Sequence, residues 1–466
     1  MSNFVHIRAA AGAAILIASL AASGAAFAQI APRTPPRPTP IPVDPVVRAP
    51  ASTARPISLD EAIRLAQRVS PVAIQAKGVE RADRAAVRAA YGAMVPNLTA
   101  TAGRVIQYGS ATTRINANGE QVSIAQKPTN STGLNFNLQL FDGGQRLFDL
   151  RAARANVGAA EVSRLGADYQ IALDVKRQYY AVLAAIESED AANAQIQQAQ
   201  EQFKSSVAKV NAGVATRSDS LRGVVLVNNA QLALITAQAN LSTANAALTR
   251  LVGSDIPVTA DPASVVDRPG ALPDSAALIA LAEEGPAVRE ARANLDAARQ
   301  VKRASKTTYL PTLNASYSRN GSGVDSRFGL GNDPFTYNGR LSFSASYPIF
   351  NGWQREAAVV RADVAEDNAR AALRDAQLAA SASLAGYIGA LRAAAQRVEV
   401  QQASVAAAEE DLRVQQQRYN IGASTLLDLL TSQTTLQQAR SALIAARYDY
   451  RITRAQIESL VGRNLE

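Results

Sequence analysis

The sequence predicts a mainly α-helical fold with some β, internally duplicated, in which two β-hairpins alternate with two very long helical hairpins. Three observations carry that prediction. Landmarks of one half recur in the other at an offset of 209: Phe141-Asp142-Gly143-Gly144 matches Phe350-Asn351-Gly352-Trp353, Gly213 matches Gly422, Asp219 matches Asp428, and Leu251-Val252-Gly253 matches Leu460-Val461-Gly462. Proline is absent between Pro128 and Pro257 and again after Pro348, in segments rich in the helix formers Ala, Gln, Leu, Arg and Glu. Four short segments alternate strictly between apolar and small polar residues, the period of a strand.

From the N-terminus, residues 1–28 read as a removable signal peptide, with Arg8 in the n-region, an apolar stretch from Ala9 to Leu20, and Ala26-Phe27-Ala28 before Gln29. Export places the mature chain beyond the inner membrane, and no lipid-anchor cysteine follows the signal. Residues 29–57 contain nine of the chain's 20 prolines, from Pro32 to Pro56, and read as an extended periplasmic tether with no means of packing a core. The first repeat, residues 58–256, opens with a half-length helical segment from Ser58 to Val95, then a β-hairpin at about 97–142 and a long helical hairpin at about 144–252. A linker of residues 257–273 leads to the second repeat, 274–466, with a helical segment from Asp274 to Leu310, a β-hairpin at about 312–350 and a long helical hairpin at about 353–462. Ahead of the hairpins, Pro71, Pro96 and Leu98 match Pro286, Pro311 and Leu313 at an offset of 215. The two repeats therefore differ in length only within the β-hairpin, where loops vary freely.

In the strands, Leu98, Ala100 and Ala102 interleave with Asn97, Thr99 and Thr101, and Leu134, Phe136, Leu138 and Leu140 with Asn135, Asn137 and Gln139. The second repeat does the same with Leu313, Ala315 and Tyr317, and with Leu341, Phe343, Ala345 and Tyr347. A soluble sheet lying on helices would share this period. The strand length, near the ~9–11 residues that cross an outer membrane, the aromatic residues near strand ends (Tyr108, Phe141, Tyr309, Phe350) and the uncharged polar face favour a membrane barrel instead. Four strands cannot close a barrel, whose minimum is about eight. Such a barrel requires several chains.

The run from Gly144 to Ala212, and its counterpart from Trp353 to Ile421, would each extend about 100 Å at ~1.5 Å per residue. The return arms, Asp219 to Val252 and Asp428 to Val461, are about half as long, and the two half-length segments can stack end to end on them. Abundant alanine, as at Ala371, Ala372, Ala376, Ala379 and Ala380, lets helices approach closely in a wall. Each long arm ends in a glycine turn. Ser218 or Asp219, and Thr425 or Asp428, can cap the helix that follows.

Composition removes most enzyme classes. The chain has no cysteine, and its one histidine, His6, lies in the signal peptide. Ser-His-Asp and Cys-His pairs, His- or Cys-ligated zinc, His- or Cys-held haem and structural disulfides are excluded from the mature protein. Glu283-Glu284 and Glu409-Glu410-Asp411 could supply the paired carboxylates of a hydrolase, but they sit side by side on helical stretches and read as solvated faces. The net charge of +9 comes from dispersed residues and does not outline a nucleic-acid surface. Beyond the signal no run of 18 apolar residues suggests a transmembrane helix. A periplasmic coiled-coil adaptor or scaffold is the main alternative, yet it would ordinarily carry one long hairpin flanked by compact β domains, and here the hairpin is duplicated.

The Pro96-Asn97-Leu98 strand entry, the LFDGGQR segment from Leu140 to Arg146, and the paired turns GVATRSD (213–219) and GASTLLD (422–428) resemble the TolC family of outer-membrane efflux and type I secretion channels. The resemblance spans the chain after the tether. It implies a homotrimer, in which four strands per chain contribute to a trimeric 12-stranded outer-membrane β-barrel continuous with a long periplasmic α-helical barrel. It also implies no enzyme activity, cofactor or metal, and no nucleic acid. The implied partners are a periplasmic adaptor (membrane fusion) protein, an inner-membrane transporter of ABC or proton-driven type, and outer-membrane lipid. Carried over by position, the resemblance makes Gly213, Val214, Gly422 and Ala423 adaptor-docking tips. It makes Tyr419 a residue that holds the periplasmic entrance closed by bonding to Asp219, and Asp428 an acidic ring at that entrance. Ser424 stands where relatives usually have an arginine of the same lock, and Thr431 where better-known members have a second ring aspartate.

Overall fold

The computed structural model describes residues 54–108, 112–115, 117, 119–124, 128–264, 275–324 and 335–465. The expected signal peptide and the tether up to residue 53 lie outside the described residues, as do 265–274 of the expected linker. The first repeat runs β1 (Arg55–Ile57), α1 (Leu59–Val69), α2 (Pro71–Gly92), β2 (Asn97–Val105), β3 (Thr112–Ile115), β4 (Gln121–Ile124), β5 (Thr129–Phe141), α3 (Gln145–Asn211) and α4 (Arg217–Val252). After β6 (Val258–Ala260), the second runs α5 (Ser275–Glu283), α6 (Pro286–Lys306), β7 (Thr312–Val324), β8 (Thr336–Ser346), α7 (Gln354–Asn420) and α8 (Leu426–Val461). The long helices have 67 residues each and the return helices 36 each. Equal lengths in the two repeats are what an unbroken sequence offset requires.

The four long strands form one antiparallel sheet in the order β2-β5-β7-β8. Register puts Leu98 opposite Phe136, Phe136 opposite Tyr317, and Tyr317 opposite Leu341; Leu138, Ala315 and Phe343 form the next row. The first of these rows makes the face apolar across all four strands; the row on its other side carries Arg319, between Leu134 and Gly339. The other face carries Asn97, Asn137, Ser316 and Ser342, which are polar and uncharged. A register shift between Gln139 and Phe141 brings Phe141 opposite Leu313, so the bulge returns an aromatic to the apolar row. At β8, Phe343 on the apolar side is 70% exposed.

Helix packing explains how half-length pieces match full-length ones. Both α2 and α4 lie along α3, while α6 packs against α3 and α7. The end of α4 meets the α1–α2 junction: a Cβ at Gly253 would lie 2.5 Å from Val69 Cγ1. At the equivalent place in the second repeat, a Cβ at Gly462 would lie 2.8 Å from Pro286 Cγ, at the start of α6. Each half-length segment is itself two helices. Ser70-Pro71 and Gly285-Pro286 break them, because proline suits a first helical position and not an interior one. Gly253 and Gly213 share a left-handed backbone, with φ of +66° and +76°, but only Gly253 is crowded. Gly253→Ala is therefore expected to cost roughly 2 kcal/mol more than Gly213→Ala, read as a lower midpoint for heat-induced loss of helical circular dichroism.

Arg55–Ile57 belongs to the expected tether and Val258–Ala260 to the expected linker, yet they pair as a parallel two-stranded ribbon. Ile57 is 2% exposed and joins a core of Val175, Tyr179, Leu248 and Tyr448 that draws on both repeats. The Tyr179 hydroxyl fixes the ribbon, 2.9 Å from the Ile57 carbonyl oxygen and accepting the Asp261 N–H at 3.0 Å. A further difference lies in α7, where one 18-residue window reaches a mean hydropathy of 1.2. Alanine supplies that value, and alanine is the residue of close helix contact.

At the strand-to-helix junctions the repeats diverge. Gly144 enters α3 with φ of +87°, and Trp353 enters α7 with φ of +65°. Trp353 is the one non-glycine residue with positive φ among the described residues, a conformation costing about 1–2 kcal/mol for a residue with a Cβ. Its ring is 68% exposed and meets Phe350 edge-on at 6.0 Å.

Candidate functional site at the paired helical turns

The two glycine turns are built alike. In the first, Gly213 N–H bonds to the Val210 carbonyl and Val214 N–H to the Lys209 carbonyl, each at 3.0 Å. In the second, Gly422 N–H bonds to Tyr419 at 3.2 Å and Ala423 N–H to Arg418 at 2.8 Å. This is the Schellman closure, which needs the positive φ that both glycines adopt. A Cβ at either glycine would meet no atom within 4 Å, and Val214 is 75% exposed. Ile421 and Leu427 are exposed beside the second turn. The tips are narrow, open and apolar.

The next helices start with matching capping boxes. Thr216, and not Ser218 or Asp219, is the N-cap of α4; Thr425 is the N-cap of α8. The Asp219 carboxylate accepts the Thr216 backbone N–H at 3.0 Å and its hydroxyl at 2.8 Å. Asp428 accepts the same two groups of Thr425 at 3.0 and 2.7 Å. The Thr425 hydroxyl contact, then its backbone N–H, hold the Asp428 carboxyl below the usual carboxylate range, and Thr216 does the same for Asp219. Both carboxylates stay charged through neutral and mildly acidic pH. The Thr-x-x-Asp spacing that recurs at 216–219 and 425–428 is the sequence signal that could have found this pair.

The other predicted residues gather around Asp428. Ser424, in place of the expected arginine, donates to Gln415 at 3.2 Å and approaches Asp428 at 3.4 Å. Thr431, one turn on from Asp428, is exposed and donates to its own helix at the Leu427 carbonyl. Asp428 itself is exposed. Tyr419 and Asp219 are not joined by a hydrogen bond among the described residues. Instead Lys209 Nζ, in the last turn of α3, sits 3.8 Å from the centre of the Tyr419 ring, in the last turn of α7. Sequence reasoning missed Lys209, because a lysine near a helix C-terminus is ordinary and only the fold brings it to the other repeat. The acidic clusters are engaged elsewhere: Glu284 with Arg292, Glu409 with Arg440, and Glu410 with Arg413.

A sequence profile of the family described as "Outer membrane efflux protein" matches residues 66–254 and 278–463, one span in each repeat. The chain belongs to the outer membrane efflux protein family. Among relatives of this family, it is 25% identical over 350 residues to Outer membrane protein TolC of Escherichia coli, covering 72% of this chain and 70% of the relative. It is 28% identical over 402 residues to Protein CyaE of Bordetella pertussis, covering 84% and 81% respectively. In fold it is similar to the open state of the Neisseria gonorrhoeae MtrE outer membrane channel, with a TM-score of 0.72, 20% identity, and coverage of 90% of this chain and 94% of that one. The outer membrane efflux protein fold puts the glycine turns and the sheet at opposite ends of the long helices. The protein is an outer-membrane efflux or type I secretion channel of the TolC type, with a large periplasmic portion.

Proposed function

We propose that the protein works as a homotrimer that conducts substrates across the periplasm and outer membrane, from an inner-membrane ABC or proton-driven transporter through a periplasmic adaptor. The observation that carries this reading is the four-stranded sheet with its two edges, an apolar face, and a polar face of small residues that carries one arginine, Arg340. Three copies supply twelve strands, enough for a barrel with lipid outside and water within. The helical hairpins of three copies then line a tunnel whose entrance is the set of paired turns. Gly213, Val214, Gly422 and Ala423 offer the adaptor an exposed edge at the tips. Residues 1–28 are a signal peptide removed on export, and the tether expected at 29–57 ends in the β1 strand, Arg55–Ile57. Drug efflux and type I protein secretion are served by the same conduit, with cargo chosen by transporter and adaptor.

At the entrance, Asp428 places one carboxylate per copy around the axis, so that the ring favours cations. Protein extracted from outer membranes with detergent should form stable ion-conducting pores in planar bilayers; no conductance would overturn the channel reading. Asp428→Asn is expected to reduce cation preference and block by multivalent cations several-fold. A lowered carboxyl pKa means that the charge is present above that pKa and lost as pH falls through it. Cation preference should therefore persist below the pH at which an ordinary aspartate loses its charge and decline only on further acidification. Unchanged selectivity in Asp428→Asn would remove the ring from the mechanism.

A further inference from the structure

The strands of the four-stranded sheet contain no carboxylate and no lysine, and their only charges are three arginines. Two of these lie on the apolar face. Arg104 shares the parity of Leu98, and Arg319 that of Tyr317, with its guanidinium 5.0 Å from the centre of the Tyr337 ring. Arg340 of β8 is on the opposite face, in step with Ser342 and Ser344. Its row across the sheet reads Thr99, Asn135, Ser318, Arg340.

Arg340 is therefore the single charge on the polar face of the four strands. Its neighbours in the row are short and polar, so the long side chain has no apolar surface to lie on, and the residue is exposed. It makes no ion pair among the described residues. The duplication does not repeat it: at the offset of 209 the first repeat has Ser131, whose hydroxyl donates to the Gly103 carbonyl at 3.4 Å. Each chain thus brings one positive charge to this face, not two.

We infer that Arg340 gives the barrel lumen a ring of three guanidinium groups, which draws anions into the membrane end of the conduit and opposes the cation preference set at the entrance by Asp428. This inference rests on the trimeric channel reading, which supplies both the inward polar face and the number three. Twelve strands ~4.8 Å apart and tilted ~40° enclose a barrel of about 12 Å radius. An arginine pointing inward brings its charge to about 8 Å from the axis, inside the ~10 Å Debye length of 0.1 M salt. Three unit charges at that distance in water raise the anion concentration on the axis about threefold and lower that of cations by the same factor. In 1 M salt the Debye length is ~3 Å and the effect nearly vanishes.

The test is the reversal potential of the protein in planar bilayers, across a potassium chloride gradient centred on about 0.1 M, where screening still lets the ring act. Arg340→Gln is expected to raise the ratio of potassium to chloride permeability about threefold or more, and Arg340→Glu to raise it further. Arg340→Lys keeps the charge and should match the unmodified pore. Citrate, added as a multivalent anion, should depress the low-salt current of the unmodified and Arg340→Lys pores more than that of Arg340→Gln. In 1 M potassium chloride all four proteins should show the same single-channel conductance, which reports an intact pore. An Arg340→Gln pore that is normal in 1 M salt and has an unchanged permeability ratio at low salt overturns the ring and leaves the channel reading standing. An equal shift in Arg340→Lys overturns it as well, since side-chain shape and not charge would then be responsible. If the unmodified protein forms no pores, the channel reading itself falls.

Discussion

Lys209→Gln is expected to open the entrance, and Tyr419→Phe is expected to leave it closed. The contact between the last turns of α3 and α7 is the Lys209 ammonium over the Tyr419 ring at 3.8 Å. A cation over an aromatic face is worth about 0.5–2 kcal/mol, depending on how far it is desolvated, and both residues here are half-buried. In the proposed trimer, three such contacts are lost together. A closed state built on these contacts would weaken by about 1.5–6 kcal/mol, a tenfold or larger change in the ratio of open to closed channels. Single-channel recordings should show Lys209→Gln and Tyr419→Ala with raised conductance or open probability, and cells carrying them should leak antibiotics. Tyr419→Phe keeps the ring and loses only the hydroxyl. If it opens the channel as far as Tyr419→Ala does, the hydroxyl and not the ring face holds the entrance. That outcome would favour the Tyr419–Asp219 bond that the family resemblance implies.

The second large effect is on stability. Glu458 of α8 is buried and faces Lys176 of α3, so that one ion pair ties the two repeats together. Glu458 also accepts the Leu465 backbone N–H at 3.2 Å and lies 3.7 Å from Arg454, anchoring the C-terminal turn. Glu458→Ala leaves the Lys176 charge in a closed environment without its carboxylate. Breaking a buried pair from one side costs about 3–5 kcal/mol. The midpoint for heat-induced loss of helical circular dichroism should fall by roughly 5 °C or more. Removing both charges, as in Lys176→Met with Glu458→Leu, should recover most of the loss, since a packed apolar pair carries no stranded ion. A double variant no more stable than Glu458→Ala would mean that the lost contact is mainly the bond to Leu465.

Much of this architecture was legible because it obeys simple periods. Proline-free runs fixed the long helices, alternation fixed the strands, and repeated landmarks such as Gly213 and Gly422 fixed their correspondence. Three things were hidden for physical reasons. The ribbon of Arg55–Ile57 with Val258–Ala260 joins segments some two hundred residues apart, each too short to show a period. The helix breaks at Pro71 and Pro286 use a residue that is also common at helix starts, so proline alone did not say whether the chain kinks or restarts. At the paired turns, Asp219 and Asp428 were legible as equivalent positions of the two repeats, and their roles came from the family resemblance. Lys209 was not, since its partner Tyr419 lies in the other repeat and only packing brings them together.

Trp353 carries the chain's only indole. It is exposed and held in a backbone conformation that Gly144 adopts freely at the same point of the first repeat. Intrinsic fluorescence excited at the tryptophan band is therefore a single-position signal from the level at which strand gives way to helix. Its emission colour and its quenching by brominated lipid will locate that level relative to the bilayer surface, with no dye, label or mutation introduced into the protein.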